Sequence, residues 1–111
     1  MKATVDVDAG ICGLQTRVHV VSNDGQNITF DVTTNCERIR QLAQTLRSKE
    51  PVDAYQEISL GGPAVIMTAV KETLTGCCAG CAVPIGLFKA MQVAAGLALP
   101  KDITIKLAKE D

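Results

Sequence analysis

Residues 15–33 read QTRVHVVSNDGQNITFDVT, two alternating stretches on either side of an Asp-Gly pair. Period-two alternation of apolar and polar residues is typical of half-buried β-strands. Asp24-Gly25 favours a tight hairpin between them, because this dipeptide tolerates the positive φ angles of such turns. The positions predicted to face inward are Thr16, Val18 and Val20 in the first strand, and Ile28, Phe30 and Val32 in the second.

The same alternation recurs near both ends of the chain. Residues 2–8 predict a strand that precedes the hairpin, so the first three strands form a consecutive antiparallel meander. Residues 103–107 predict a fourth strand. The inward positions of these two strands are Ala3, Val5, Val7, Ile103, Ile105 and Leu107.

Between the third and the last strand the period is helical, and three helices are predicted. A capping box formed by Thr34 and Glu37 opens the first helix, over about 35–48. Pro63 suits the first position of the second helix, and Gly76 suits its C-cap. Pro84 opens the third helix, which extends to about Leu99. Residues 52–62 are predicted to be mostly loop, with a short edge strand as the alternative.

The element order is therefore β-β-β-α-α-α-β. This order predicts an α+β fold, a two-layer sandwich of a four-stranded, mainly antiparallel sheet with helices on one face. With 111 residues the chain is large enough for one hydrophobic core and too small for two, so residues 1–111 are predicted to form a single domain.

Charge and composition argue against several function classes. The 11 Lys and Arg residues nearly balance the 12 Asp and Glu residues, and Phe30, Tyr55 and Phe88 are the only aromatic residues. A nucleic-acid partner is not expected, because such proteins usually carry a basic excess or aromatic platforms. A membrane span is not expected either, since the apolar stretch 82–100 contains Lys89 and Gln92. The first residues alternate like a strand and not like a signal peptide, so a cytoplasmic location is predicted.

The unusual feature is five cysteines beside one histidine. In a reducing cytoplasm, structural disulfides are disfavoured, which favours metal binding or redox chemistry. If every element crosses the domain once, up or down, all five cysteines fall at the same end of the sheet. These residues are Cys12, Cys36, Cys77, Cys78 and Cys81.

Thiolates in this number suit an iron–sulfur cluster or a zinc ion, which commonly bind a Cys-x-x-Cys clip and two distant ligands. Cys78 and Cys81 form the clip, and Cys12 and Cys36 are the distant pair. Cys77 is then a spare thiol or replaces Cys78, so all five cysteines are candidate metal ligands. An all-sulfur set excludes magnesium and calcium and leaves the choice between zinc and iron–sulfur open.

Two resemblances accompany these residues. Residues 74–81, LTGCCAGC, resemble the L-x-G-x-C-x-x-C segment of NifU-like iron–sulfur scaffold domains, and the likeness covers residues 74–107. It implies that Cys78 and Cys81 hold a cluster, which two chains could share. The stretches 81–87 and 96–102 resemble a small family of uncharacterised single-domain proteins from anaerobic prokaryotes. That likeness implies no activity and fits oxygen-sensitive chemistry.

The sequence thus predicts a metal or iron–sulfur protein that acts as a carrier, scaffold or electron-transfer partner of a redox or cluster-acceptor protein. No acid–base constellation is recognisable, which argues against a stand-alone enzyme. A thiol–disulfide enzyme that uses Cys78 and Cys81 is one alternative. A structural or interaction module with inert thiols is another. The sequence leaves a homo-oligomer open.

Overall fold

The computed structural model describes residues 1–111 and places the alternating segments in one antiparallel sheet. Val5 lies opposite Val18, and Val18 lies opposite Val32, so the predicted inward positions share one side of the sheet. The α+β class with a four-stranded antiparallel sheet is confirmed. The strands, in their order across the sheet, are β1 (Lys2–Asp8), β2 (Gln15–Val21), β3 (Asn27–Thr34) and β4 (Val52–Asp53).

The helices form the second layer. They are α1 (Glu37–Lys49), α2 (Ala54–Glu57), α3 (Val65–Thr73) and α4 (Val83–Ala94), with a 3-10 helix at Gly76–Gly80 before α4. α1 packs on β3 and α3, whereas α4 packs on β1, β2 and α3. The opposite face of the sheet carries exposed polar side chains, as expected for an antiparallel sheet with one solvated side.

One hydrophobic core joins the two layers. Nineteen buried residues form it, drawn from β2, β3, β4 and all four α-helices. Apolar burial of this kind is the main favourable contribution to folding. The largest side chains that are fully buried include Ile28, Leu42, Leu46, Ile66, Leu87 and Met91.

The predicted strand over residues 103–107 is wrong. These residues are exposed and belong to no sheet, although their side chains alternate. The fourth strand is instead β4, inside the stretch predicted to be mostly loop, and it confirms the short edge strand that was the alternative there. Val52 lies opposite Ile28 in the ladder, and the N–H of Ala54 donates to the carbonyl oxygen of Gln26 at 2.9 Å. A two-residue strand is too short to show the alternation of apolar and polar residues by which the other strands were predicted.

The last helix is also shorter than predicted, because it ends at Ala94 and not near Leu99. Gly96 adopts a left-handed φ of 76°. The N–H of Leu97 then donates to the carbonyl oxygen of Gln92 at 2.7 Å, which is the Schellman arrangement that terminates helices. The apolar composition continues past this point, so composition alone overestimated the helix.

The start of α3 is set by a carboxylate and not by Pro63. Glu57 accepts hydrogen bonds from the N–H groups of Val65 and Ile66, at 2.9 and 2.7 Å. Free N–H groups at a helix start need such acceptors, so α3 begins at Val65, two residues later than predicted. This cap is non-local and carries no signature near residue 63.

α4 is the most apolar helix and approaches the sheet closely. The stretch Gly76–Ala94 is long and apolar enough to cross a membrane by length and composition alone. In this fold it comprises the 3-10 helix and α4, and α4 packs on the inner face of β1 and β2. Gly86 allows that contact: a Cβ atom on it would lie 2.8 Å from Cγ2 of Val7.

The turn between β2 and β3 is organised by Asp24. Its carboxylate accepts hydrogen bonds from the backbone N–H groups of Asn27 and Gln26, at 2.7 and 2.9 Å. The side-chain amide of Asn27 donates a further bond at 2.7 Å. These bonds, led by the backbone bond from Asn27, favour the ionised carboxylate and lower the pKa of Asp24 to about 2.

On acidification, we expect the free energy of unfolding to decrease less in the Asp24→Asn variant than in the wild type. The pKa of Asp24 is lower in the folded state than its ordinary value of 3.8, so the carboxylate stabilises the fold above that value. This contribution is lost as the pH falls towards 2. Urea unfolding at about pH 5 and about pH 2 should show a smaller decrease in the free energy of unfolding for the variant. Asp31→Asn, which removes an exposed carboxylate on β3, is the control. An equal decrease in wild type and Asp24→Asn would contradict this account.

Candidate functional site

The cysteines lie on three segments that the fold brings to one end of the sheet, called the cysteine end below. Cys12 is in the β1–β2 loop, Cys36 precedes α1, and the other three lie in or directly after the 3-10 helix. The N–H of Gln15 donates to Oδ1 of Asn35 at 3.1 Å, which joins the end of the first segment to the second. Arg38 joins the second segment to the third, as described below.

Cys36 is the N-cap residue of α1, and the predicted capping box of Thr34 and Glu37 is wrong. Oγ1 of Thr34 lies 2.8 Å from Oγ1 of Thr16 on the neighbouring strand and accepts from the N–H of Cys36 at 3.1 Å. Glu37 pairs with Arg40, at 3.2 Å, and does not reach back. Because Thr34 still belongs to β3, the helix begins later than predicted and Cys36 takes the cap position, with its thiol half-buried against the core.

The third segment forms a tight turn that presents three thiols. The N–H of Cys78 donates to the carbonyl oxygen of Thr75 at 3.2 Å, and the N–H of Cys81 donates to that of Cys78 at 3.1 Å. Cys77 is exposed, whereas Cys78 and Cys81 are half-buried and pack against the core. The turn therefore holds the two residues of the clip on the protein side and Cys77 on the solvent side.

The pKa of Cys78 is raised by burial and is changed further by the groups around it. Burial raises the pKa of the Cys78 thiol above its ordinary value, and the thiols of Cys77 and Cys36 raise it further. The guanidinium of Arg38 acts in the opposite direction. Cys36, Cys77 and Arg38 therefore all lie close enough to Cys78 to change its protonation, and Cys78 in the free chain favours the thiol form.

Arg38 is a member of the site that the sequence did not single out. Its Nη1 donates to Oγ1 of Thr75 at 3.1 Å and to the carbonyl oxygen of Thr73 at 3.4 Å. These bonds hold a positive charge between the start of α1 and the turn that carries Cys78. The signal in the sequence was its position two residues after Cys36 in a predicted first helical turn.

Cys12 lies on the loop between β1 and β2. It is exposed, and its loop is closed on itself by a hydrogen bond from the N–H of Gly13 to the carbonyl oxygen of Gly10, at 2.9 Å. The N–H of Gly10 donates to Oδ1 of Asp8, also at 2.9 Å. Both glycines have positive φ angles, 85° at Gly10 and 70° at Gly13, which the turn requires. The loop thus reaches the cysteine end without placing its thiol against the core.

The free chain does not hold a ready-made metal centre. All five cysteines are unpaired thiols, and no group of three or more His, Cys, Asp or Glu side chains is arranged to hold a metal ion. The structure brings the segments that carry Cys36, Cys77 and Cys78 to one end of the sheet, with Cys81 one turn further along. A four-thiolate centre would therefore require these thiols to rearrange.

The outer face of the sheet offers no competing site for thiol chemistry. A polar depression there is lined by residues of β1, β2 and β3, with Val7 as its one apolar residue and no cysteine. Arg17 and Asp6 form an exposed ion pair across it at 2.7 Å. The hydrogen bond from Arg17 lowers the pKa of Asp6. Exposed pairs of this kind contribute little to stability and indicate no chemistry.

Comparison with known proteins identifies a family to which no activity is assigned. The model of a family of unknown function (DUF6951) matches residues 3–107. No curated protein and no solved structure matches the chain.

Proposed function

The chain belongs to this family of unknown function, DUF6951, which assigns it no activity, and we propose from its own thiols that it binds an iron–sulfur cluster or a zinc ion. The observation that carries the proposal is the meeting of three cysteine-bearing segments at one end of the domain. Two hydrogen bonds, from Gln15 to Asn35 and from Arg38 to Thr75, join those segments. The packing of the domain does not by itself require five thiols from three separate segments to lie at the same end.

The proposed ligands are Cys12, Cys36, Cys78 and Cys81, with Cys77 as the alternative to Cys78. Cysteine thiolates are soft ligands that select zinc, iron–sulfur clusters and similar centres over hard cations. The spacing of Cys78 and Cys81 allows one turn to supply two ligands, since the backbone bond between them already closes it. Arg38 adds a positive charge, which offsets the negative charge that four thiolates accumulate.

Binding is proposed to be coupled to a rearrangement of the β1–β2 loop, because Cys12 is exposed and the free chain holds no three ligands in place. Metal sites of small proteins are often completed only when the metal binds, so that its binding free energy also orders the polypeptide. The loop is suited to this movement: it is short, exposed and hinged by Gly10 and Gly13.

In this proposal the protein is a carrier, scaffold or electron-transfer partner in the cytoplasm, and its partner is a redox or cluster-acceptor protein. Free thiols fit a reducing compartment. Exposed Cys77, next to the proposed centre, would be the thiol that such a partner meets first. The local likeness of residues 74–107 to NifU-like scaffold domains is compatible with this role.

The test is metal analysis of protein purified without oxygen. We expect either a brown sample that contains iron and sulfide or a colourless sample with one zinc ion per chain. Cys36→Ser and Cys81→Ser should lose most of the bound metal, whereas Ala79→Ser, a control in the same turn, should retain it. Of Cys77→Ser and Cys78→Ser, only the one that removes a ligand should lose metal. Circular dichroism confirms that each variant is folded.

Three outcomes would overturn the proposal. Protein that contains no metal and takes up neither zinc nor iron with sulfide is not a metal protein. If such protein also cycles between dithiol and Cys78–Cys81 disulfide, it is the thiol–disulfide enzyme considered above. If it does neither, the thiols are structural. Retention of full metal content by Cys36→Ser and Cys81→Ser together would likewise exclude the proposed ligands.

A further inference from the structure

The C-terminal residues form an extended segment whose apolar side chains are exposed to solvent. Residues 98–111, the C-terminal arm, contain no helix or strand and make no hydrogen bond to the rest of the domain. Ile103, Ile105 and Leu107 are 50, 65 and 94 % exposed. Alternating apolar side chains in water are unfavourable, and they form a strand face that lacks a sheet.

The edge of the sheet formed by β1 is unpaired and can accept a further strand. This strand pairs only with β2, so its other edge, over Lys2–Asp8, has no strand beside it. Its inward residues Ala3, Val5 and Val7 are only half-buried, whereas Val18 and Val20 on β2 are fully buried. An additional strand on this edge would pair the free backbone groups and cover the exposed part of the core.

The side chains of the arm fit this edge in a parallel register. When residue 102 is placed beside residue 2, the inward residues Ile103, Ile105 and Leu107 come beside Ala3, Val5 and Val7. The polar face then matches as well, with Asp102 beside Lys2, Thr104 beside Thr4, and Lys106 beside Asp6. The antiparallel alignment about the same centre would place Lys106 beside Lys2 and Asp102 beside Asp6. Opposite charges on neighbouring strands stabilise a pairing and like charges destabilise it.

We propose that two copies of this chain exchange their C-terminal arms, so that residues 102–107 of each copy add a parallel strand to β1 of the other. The occupant is a second copy because one chain supplies both halves of the contact, the open edge and the strand, and leaves both unused. In a two-fold dimer, the arm of each copy pairs with β1 of the other copy, so the same interface forms twice. Apart from Lys2, both halves lie within residues 3–107, which the family model matches. The contact is independent of the proposed metal centre.

The experiment measures self-association of the full-length protein by sedimentation equilibrium, with reductant and a metal chelator present. The chelator excludes dimers bridged by metal, so the result does not depend on the proposed function. We expect a dimer for the wild type. Ile105→Asp should raise its dissociation constant by about 100-fold or more, because two buried isoleucines per dimer are lost. Thr104→Asp introduces the same charge on the opposite face and should change the constant by less than about fivefold.

Hydrogen exchange identifies the surfaces involved. Amides of residues 103–107 and of β1 should exchange more slowly in the dimer than in the Ile105→Asp monomer. A wild-type monomer at every concentration would overturn the proposal, including a monomer whose arm is protected, since that arm would lie on its own β1. Dimerisation of Ile105→Asp with wild-type affinity would overturn it as well.

Discussion

The Gly86→Leu substitution is expected to lower the free energy of unfolding by about 2–3 kcal/mol and the melting temperature by roughly 10–15 °C. Gly86 is buried where α4 meets β1, and a Cβ atom there would lie 2.8 Å from Cγ2 of Val7 and 3.3 Å from Cγ2 of Val5. Both valines are β-branched and therefore stiff at χ1, so we expect a larger side chain at position 86 to push α4 away from β1. Urea and thermal unfolding, followed by circular dichroism, measure the change.

The control is Lys89→Leu, which places the same side chain on the exposed face of the same helix. Leucine forms helix better than glycine by about 0.8 kcal/mol, so helix propensity alone predicts that Gly86→Leu is stabilising. We expect Lys89→Leu to change stability by about 0.5 kcal/mol or less. If Gly86→Leu were neutral or stabilising, α4 would not approach β1 as closely as described.

The Ile66→Ala substitution is expected to lower the free energy of unfolding by about 3 kcal/mol. Ile66 is fully buried in α3, a helix that packs on both α1 and α4. Removal of its side-chain carbons leaves a cavity that rigid neighbours on several elements cannot fill. The hydrogen bond to the side-chain carboxylate of Glu57 is donated by the backbone N–H of residue 66, so it is retained in the variant.

Met67→Ala provides the matched comparison, since Met67 is the next residue on the same helix and is 40 % exposed. We expect it to cost about 1 kcal/mol or less. Chemical denaturation of both variants gives the difference between them. Equal costs for the two substitutions would show that α3 presents a different face to the core.

The meander could be predicted from the sequence because its signals are local. The alternation of residues 15–33 and the Asp24-Gly25 turn specify the hairpin, and the register follows from which residues are apolar. The fourth strand could not be predicted in the same way. Alternation at residues 103–107 describes a strand face, but it does not specify which strand lies beside it, and in this fold these residues pair with no strand. β4 has two residues and depends on contacts with residues 26–28.

The cysteine end was also predictable in part. The direction of each element follows from counting crossings, and this count places the segments that carry Cys12, Cys36 and Cys78 at one end. Which thiols lie near each other depends on loop and turn geometry that no local pattern encodes. Cys12 is exposed and is not among the cysteines that pack against the core. Arg38 was overlooked because its role depends on the turn at Thr75, far away in the sequence.

The contact between β1 and α4 joins the first strand of the chain to its last helix, and this has a consequence for biosynthesis. Val5 and Val7 are synthesised well before the helix that packs on them, which ends only at Ala94. The meander can form early because its pairings are local, whereas closure of the core requires a contact across about eighty residues. The inner face of β1 therefore stays exposed on the nascent chain until α4 has been made, and exposed apolar strands are prone to misassembly.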